Sequence, residues 1–366
     1  MTDEALAQTS NTLFNTAFVI YLVAMVAYFA RLAYRGRVIG LVATGLALVG
    51  VAVHLASVVT RGLASGHVPW GNMYEYSSLL ALIAVAVGLV VVQRRYGYGH
   101  LMGFVIASAV LMMTSALLLF AEAGPLVPAL DSYWIQIHSS ALMVASSIFM
   151  VSFAATALFL VKDAAERRVA RSSGYAGSTV GAGSVVDSDR PEGYVDDAGA
   201  EERVASPEDQ RKVLSPILFP VVPFAVVGLF VLAVWRDPVG AFSAATVAAL
   251  LGTATWYAVP SLPPAARLDL LAYRTTAFGF PILTFGVIAG AIWAEEAWGR
   301  YWGWDPKETG AFLTWVLYAA YLHARSTRGW RGARAAWVGV GGFVALMVTY
   351  YAVNLWITGL HSYAGV

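Results

Sequence analysis

Leu101-Met-Gly-Phe-Val-Ile-Ala-Ser-Ala-Val-Leu-Met-Met-Thr-Ser-Ala-Leu-Leu-Leu-Phe120 carries no charged side chain over twenty residues. That is about the length of apolar helix, roughly 20 residues, needed to cross the hydrocarbon layer of a bilayer. Comparable runs recur at 12–32, 38–60, 74–93, 139–161, 217–235, 239–259, 276–294, 310–326 and 335–355. The sequence therefore predicts an all-α polytopic membrane protein of about ten transmembrane helices. Composition agrees, because only 12% of residues are charged, against about 25% in a soluble domain, so a single water-facing globule is excluded.

Charge sets the expected sidedness. With the N-terminus outside, Arg31, Arg35, Arg37, Arg94, Arg95, the 162–212 segment, Arg267, Arg274, Arg325, Arg328, Arg331 and Arg334 face the cytoplasm, leaving Arg61, Arg236, Arg300 and Lys307 outside. Nineteen of the twenty-three basic residues then lie inside, as the positive-inside rule requires, and both termini are expected outside. Asp3 and Glu4 precede the first apolar run with no basic residue among them, so that run reads as a span and not as a signal peptide. The net charge of +1 says nothing about nucleic acid, and no basic stripe interleaved with aromatics suggests it, so that class is set aside.

Four regions follow. Residues 1–162 hold the first five spans. Residues 163–213 are rich in Gly, Ser, Asp and Glu and poor in large apolar side chains, which predicts a flexible cytoplasmic linker. Residues 214–262 form an additional helical hairpin, and 263–366 a last membrane domain. Small-residue pairs, Gly99 with Gly103 and Gly286 with Gly290, predict close helix packing.

The most informative loop is Trp293-Ala-Glu-Glu-Ala-Trp298-Gly299-Arg-Tyr301-Trp302-Gly303-Trp304-Asp305-Pro306-Lys307-Glu308-Thr309. An interfacial aromatic belt would explain the rings alone. It would not explain Gly299 and Gly303, which let a backbone approach a flat ligand, or the mixed charges of Asp305, Lys307 and Glu308. Together they suit a planar, largely apolar ligand with charged edges, and haem with its two propionates is such a ligand.

The pattern Trp298-Gly-x-x-Trp302-x-Trp304-Asp305, followed by Pro306-Lys307-Glu308, resembles the tryptophan-rich WWD signature of haem-handling proteins in cytochrome c maturation. More closely it is similar to the CcsA (ResC) branch of System II, some members of which are called CcsB. The resemblance runs from about residue 38 to the C-terminus, is strongest from Leu270 to Gly365, and is absent from the linker. It implies a subunit of a cytochrome c synthase, or haem lyase, in the bacterial plasma membrane. Such a subunit binds haem b as substrate and presents it on the extracytoplasmic face for covalent attachment to the CxxCH thiols of apocytochrome c. It also implies a ResB-type membrane partner and, indirectly, thioredoxin-like reductants. With no cysteine in the chain, all the thiols must belong to partners.

Haem iron takes histidine as its usual axial ligand, and six histidines are present. His54 and His323 lie in apolar runs, where an ionisable group is costly and a functional candidate; the plainer reading is a neutral imidazole bonded to a carbonyl, or for His323 a helix-end cap beside Arg325. The resemblance implies that they match the paired transmembrane histidines that hold haem in the bilayer. The spans set His54 toward the outer half and His323 toward the inner end, so a shared iron is not assumed. His138 ends the external loop after the fourth span and His361 lies in the C-terminal tail, both on the side of the tryptophan loop. The resemblance implies that these two jointly ligate the presented iron, with Trp298, Gly299, Trp302, Gly303, Trp304 and Asp305 as the platform. His67, in an external turn, and His100, at a cytoplasmic helix start, are expected not to ligate. Pro69-Trp70-Gly71-Asn72-Met73-Tyr74-Glu75 reads as a turn with Asn72 as N-cap and Glu75 completing a capping box; it also looks like a motif of this family and a lining of the external site.

No residue stands out as a nucleophile or general base, and Asp305 and Glu308 are expected to make packing, propionate or loop contacts. Rival readings are a haem exporter without ligation activity, a b-type electron-transfer protein, or a System I haem-delivery protein. No inverted repeat supports the first, and only His54 and His323 approach the histidine pairs needed for the second. The His361-Ser-Tyr363 tail and the chain length favour System II over the third.

Overall fold

A computed structural model describes residues 3–34, 36–126, 128–172, 207–327, 329–357 and 359–360. These residues form helices and connecting turns, with no β-strand among them. The helices are α1 (Glu4–Tyr34), α2 (Arg37–Ser65), α3 (Met73–Val87), α4 (Met102–Leu118), α5 (Tyr133–Ser172), α6 (Pro207–Lys212), α7 (Leu218–Trp235), α8 (Pro238–Ala258), α9 (Ala265–Trp298), α10 (Pro306–Thr327) and α11 (Ala333–Leu355). A π-helical stretch, Gly88–Arg95, prolongs α3. Each of the ten apolar runs falls on one of these helices, and eight helical segments among the described residues are long and apolar enough to cross a membrane. The other two expected spans fall on α10, which begins with Lys307 and Glu308 and ends near Arg325, and on α7, whose apolar stretch Leu218–Ala233 is shorter.

The helices overrun the apolar runs, since hydropathy marks immersion in lipid whereas caps and packing set where a helix stops. α5 is the clearest case. Its 40 residues rise about 60 Å, twice the hydrocarbon thickness of about 30 Å. The segment 163–172, read as the start of a flexible linker, is therefore helical. Residues 207–212 form α6, tied back where the Lys162 ammonium donates to Gln210 Oε1 (2.5 Å) and to the Val259 carbonyl (3.0 Å). Residues 173–206 lie outside the described residues.

Antiparallel neighbours pair as α1/α2, α3/α4, α7/α8 and α10/α11, and the most extensive long-range packing joins α5 to α9. α5 also packs on α3 and α11, making it the central post. Small polar groups stitch it in: Ser147 donates to the Leu80 carbonyl, and Ser152 to the Ala272 carbonyl. Outward faces keep large apolar side chains such as Leu41, Leu48, Leu229, Leu250 and Phe278 exposed, as lipid contact permits. The chain is a multi-pass membrane protein.

Candidate functional site

One end of the bundle gathers the connections after α2, α4 and α9 and the end of α11. Asp3 donates its N–H to the Ala64 carbonyl, Ser132 donates to the Glu296 carboxylate (2.8 Å), and the Leu360 N–H donates to Asp305 Oδ1 (2.7 Å). A cavity of about 200 Å³ opens among them, walled by Trp70–Met73 before and at the start of α3, His138 of α5, Gly290 and Trp293 of α9, Trp302, Lys307 and Glu308 around the tryptophan loop, and Tyr350 and Asn354 of α11.

The loop owes its path to its backbone. Gly299 ends α9 in the left-handed region (φ 68°), its N–H donating to the Glu295 carbonyl, a conformation that costs glycine little. Glu308, buried at the start of α10, accepts from the N–H groups of Gly303 (2.8 Å) and Asp305 (3.1 Å) and so closes the loop on itself. Trp304 between them is held at φ 58°, unusual for a bulky residue. Gly303 leaves room for the Arg300 guanidinium, which a Cβ there would overlap. Of the two glycines, Gly299 is the one whose backbone conformation the loop requires.

The tryptophans form two groups. Trp293 is buried against Trp298 (4.8 Å between ring centroids) in a cluster with Leu130 and Ile135. Trp302 meets Trp304 edge to face (5.8 Å, 89°), and both abut Phe312. Only Trp302 of the second group walls the cavity, while Trp304 stands exposed. The rings are angled, and they make two clusters in place of one flat surface.

His138 does not end a loop. Tyr133 and Trp134 already lie in α5, so the imidazole projects from the second turn of the helix. Its Nδ1 faces the Gly286 carbonyl at 2.8 Å; a carbonyl only accepts, so Nδ1 carries the proton. That tautomer leaves the lone pair on Nε2, the arrangement found in histidines that ligate metals. Gly286 and Gly290, read in the sequence as a packing pair, seat this ring: a Cβ on Gly290 would overlap the imidazole. His361 lies outside the described residues, but Leu360 beside it is anchored on Asp305 of the tryptophan loop.

The other two candidates are not brought together. His54 is fully buried in α2, its Nε2 3.0 Å from Ser78 Oγ and its ring packed edge-on against Phe14 and Tyr21. His323 is exposed just before the last turn of α10. α2 packs on α1 and α3, whereas α10 packs on α11 and α9. His67 is held between the Val68 and Gly124 carbonyls, and His100 sits in a short 3₁₀ turn, Gly99–Leu101.

The Pro69–Glu75 segment is half a capping box. Asn72 Oδ1 accepts from the Glu75 N–H (2.9 Å), but the Glu75 carboxylate reaches back to the Gly71 N–H (3.0 Å) and forms a buried ion pair with Arg61 (2.8 Å). Arg61 also donates to the Ala121 carbonyl (2.7 Å), so one guanidinium ties α2 to the first turn of α3 and to the chain after α4. Opposite, the Tyr350 hydroxyl donates to the Met73 carbonyl and its ring stacks on Tyr76.

Lys307 sits at the cavity wall, before the apolar part of α10. Burial pushes its ammonium pKa down to about 8, the Asp305 carboxylate working against that shift. Three cavity-wall atoms are buried with no hydrogen-bond partner among the described residues: Trp70 Nε1, Glu308 Oε1 and Asn354 Oδ1. Trp70, Tyr350, Asn354 and Gly290 were not singled out individually from the sequence; only the Pro69–Glu75 motif and the Gly286/Gly290 spacing pointed near them.

Residues 70–361 match a family model described as cytochrome C assembly protein. Over 96% of its length the chain is 36% identical to the cytochrome c biogenesis protein CcsA of Rippkaea orientalis, covering 97% of that protein. The chain belongs to the CcsA-type cytochrome c biogenesis family. Its CcsA relatives from Microcystis aeruginosa and Gloeothece citriformis are 33% and 35% identical, each alignment covering 98% of both chains. The matched range begins at Trp70 and ends at His361, so it takes in every wall of the cavity. A role in cytochrome c biogenesis follows for this CcsA-type chain.

Proposed function

We propose that the chain binds haem as substrate at this cavity and presents it on the extracytoplasmic face of the bacterial plasma membrane to the CxxCH thiols of apocytochrome c. The observation that carries the reading is His138, whose Nδ1 is bonded to the Gly286 carbonyl in a cavity shared with Trp302 and Lys307. The donor set suits the group: an imidazole in the ligating tautomer, a mainly apolar wall, and unpartnered polar atoms for the ligand's edge. His361 would be the second ligand to the iron; Leu360, the residue before it, donates its N–H to Asp305 of the tryptophan loop. The excess of basic residues at the opposite end of the bundle supports an outward-facing cavity.

Addition of a thiol S–H across a vinyl double bond forms one C–S and one C–H bond and expels nothing. The chain therefore has to supply position, not a nucleophile. Asp305 and Glu308 are committed to backbone N–H groups and act by shaping the loop. His54 and His323 remain proposals for haem held within the bilayer, as separate sites. A ResB-type membrane protein is the expected partner, and thioredoxin-like proteins keep the apocytochrome thiols reduced.

The test is complementation. In a bacterium lacking its own maturation system, the chain expressed with its ResB-type partner should yield a reporter cytochrome c that keeps haem after denaturing electrophoresis, and His138→Ala should abolish it at unchanged membrane level. Covalent haem at wild-type yield in His138→Ala would refute the role given to that residue.

A further inference from the structure

The cavity of about 200 Å³ is smaller than the roughly 300–1,000 Å³ of sites that enclose a drug-sized ligand. A tetrapyrrole entering it would go in by one edge. Which edge enters is decided by the polar atoms waiting there. Among the described residues Lys307 makes no hydrogen bond or ion pair, and none of its three donors is used. Trp70, 8% exposed, has an indole N–H with no acceptor. The nearby carboxylates are already engaged: Glu308 Oε2 accepts two backbone N–H groups and Asp305 Oδ1 accepts a third. Glu308 Oε1 and Asn354 Oδ1 are the unpartnered acceptors, able to take a proton from a carboxylic acid or a bridging water.

Resting on the haem reading above, we infer that Lys307, with the Trp70 indole N–H, receives a carboxylate of the ligand, so that the propionate edge enters the bundle and the opposite, vinyl-bearing edge stays at the mouth. A half-buried ammonium that makes no hydrogen bond among the described residues can meet a ligand carboxylate through charge-assisted hydrogen bonds. The orientation has a direct use, since an edge sealed inside the bundle could not meet the thiols of another protein. Lys307 is in this sense a specificity-determining residue: it sets which face of an asymmetric disc is offered.

The test compares iron protoporphyrin IX with its dimethyl ester, which keeps iron, ring and vinyl groups but carries no carboxylate. Absorbance titrations are run on the full-length protein in detergent, against detergent alone. The wild type is expected to bind the free acid about tenfold or more tightly than the ester. Lys307→Gln should bring the acid down to the affinity of the ester while leaving the ester unchanged, and Lys307→Arg should keep most of the preference. Equal binding of acid and ester by the wild type, or an equal loss for both in Lys307→Gln, would overturn the inference and leave haem binding intact. A wild type that binds neither would overturn the haem reading, and this inference with it.

Discussion

Substituting Gly290 by Ala places a methyl group where the His138 imidazole lies. The ring is pinned by its bond to the Gly286 carbonyl four residues earlier on the same helix, so it cannot slide aside without losing that bond. Inserting a methylene-sized group into a packed interface costs about 1–3 kcal/mol. Gly290→Ala should therefore lower the thermal midpoint in detergent by a few degrees, followed by tryptophan fluorescence, and should also disturb haem binding. Combining it with His138→Ala empties the volume the methyl needs, so the stability loss should be largely recovered while haem binding is not. Gly341→Ala in α11, with nothing near the added carbon, is the control, expected to be neutral or stabilising by up to about 1 kcal/mol. Strict additivity of Gly290→Ala and His138→Ala would refute the placement, because residues that do not touch add independently.

Three further outcomes can be measured on the same protein. Arg61→Leu leaves the Glu75 carboxylate buried without its cation and should destabilise by about 3–5 kcal/mol, with the paired change to Leu at both positions costing less, read from denaturation midpoints. Because the Lys307 pKa is held near 8, the ammonium is charged below that pH and neutral above it; affinity for free-acid haem should fall as pH rises through about 8 in the wild type, stay level in Lys307→Arg, and be flat for the dimethyl ester throughout, with Asp305 and Glu308 as the other charges facing the group. Asp305→Ala removes the acceptor of the Leu360 N–H, next to His361 in sequence, so it should shift the haem spectrum in the direction that His361→Ala does, read by absorbance.

The spans were legible because each needs only length and apolar composition, which survive any arrangement of the bundle. The ends were not. His138 reads as the end of a loop because Tyr133-Trp134-Ile-Gln-Ile is too mixed to mark a membrane boundary, yet those residues already turn as α5. Glu75 was visible as a capping residue through its three-residue distance from Asn72, a local relation; its bond to Arg61 depends on how α2 and α3 pack and left no local mark. Gly290 belonged to a recognisable small-residue pair, but the reason for it is an imidazole from a helix about 150 residues earlier in the chain. The tryptophan cluster stood out at once in the sequence, and its division into Trp293 with Trp298 and a looser outer pair became visible only once Leu130, Ile135 and Phe312 had places. Lys307 was one charge among three in the loop until Trp70 and Asn354, from opposite ends of the chain, were found on the same cavity wall.

The most direct measurement is the optical spectrum of the protein purified with its partner, for the wild type and for His138→Ala, with His67→Ala and added imidazole as controls. Haem should copurify with the wild type and with His67→Ala, lose its ligated signature in His138→Ala, and regain it when imidazole fills the vacated position. A His138→Ala spectrum identical to that of the wild type would contradict the assignment of this cavity as the haem-presenting site.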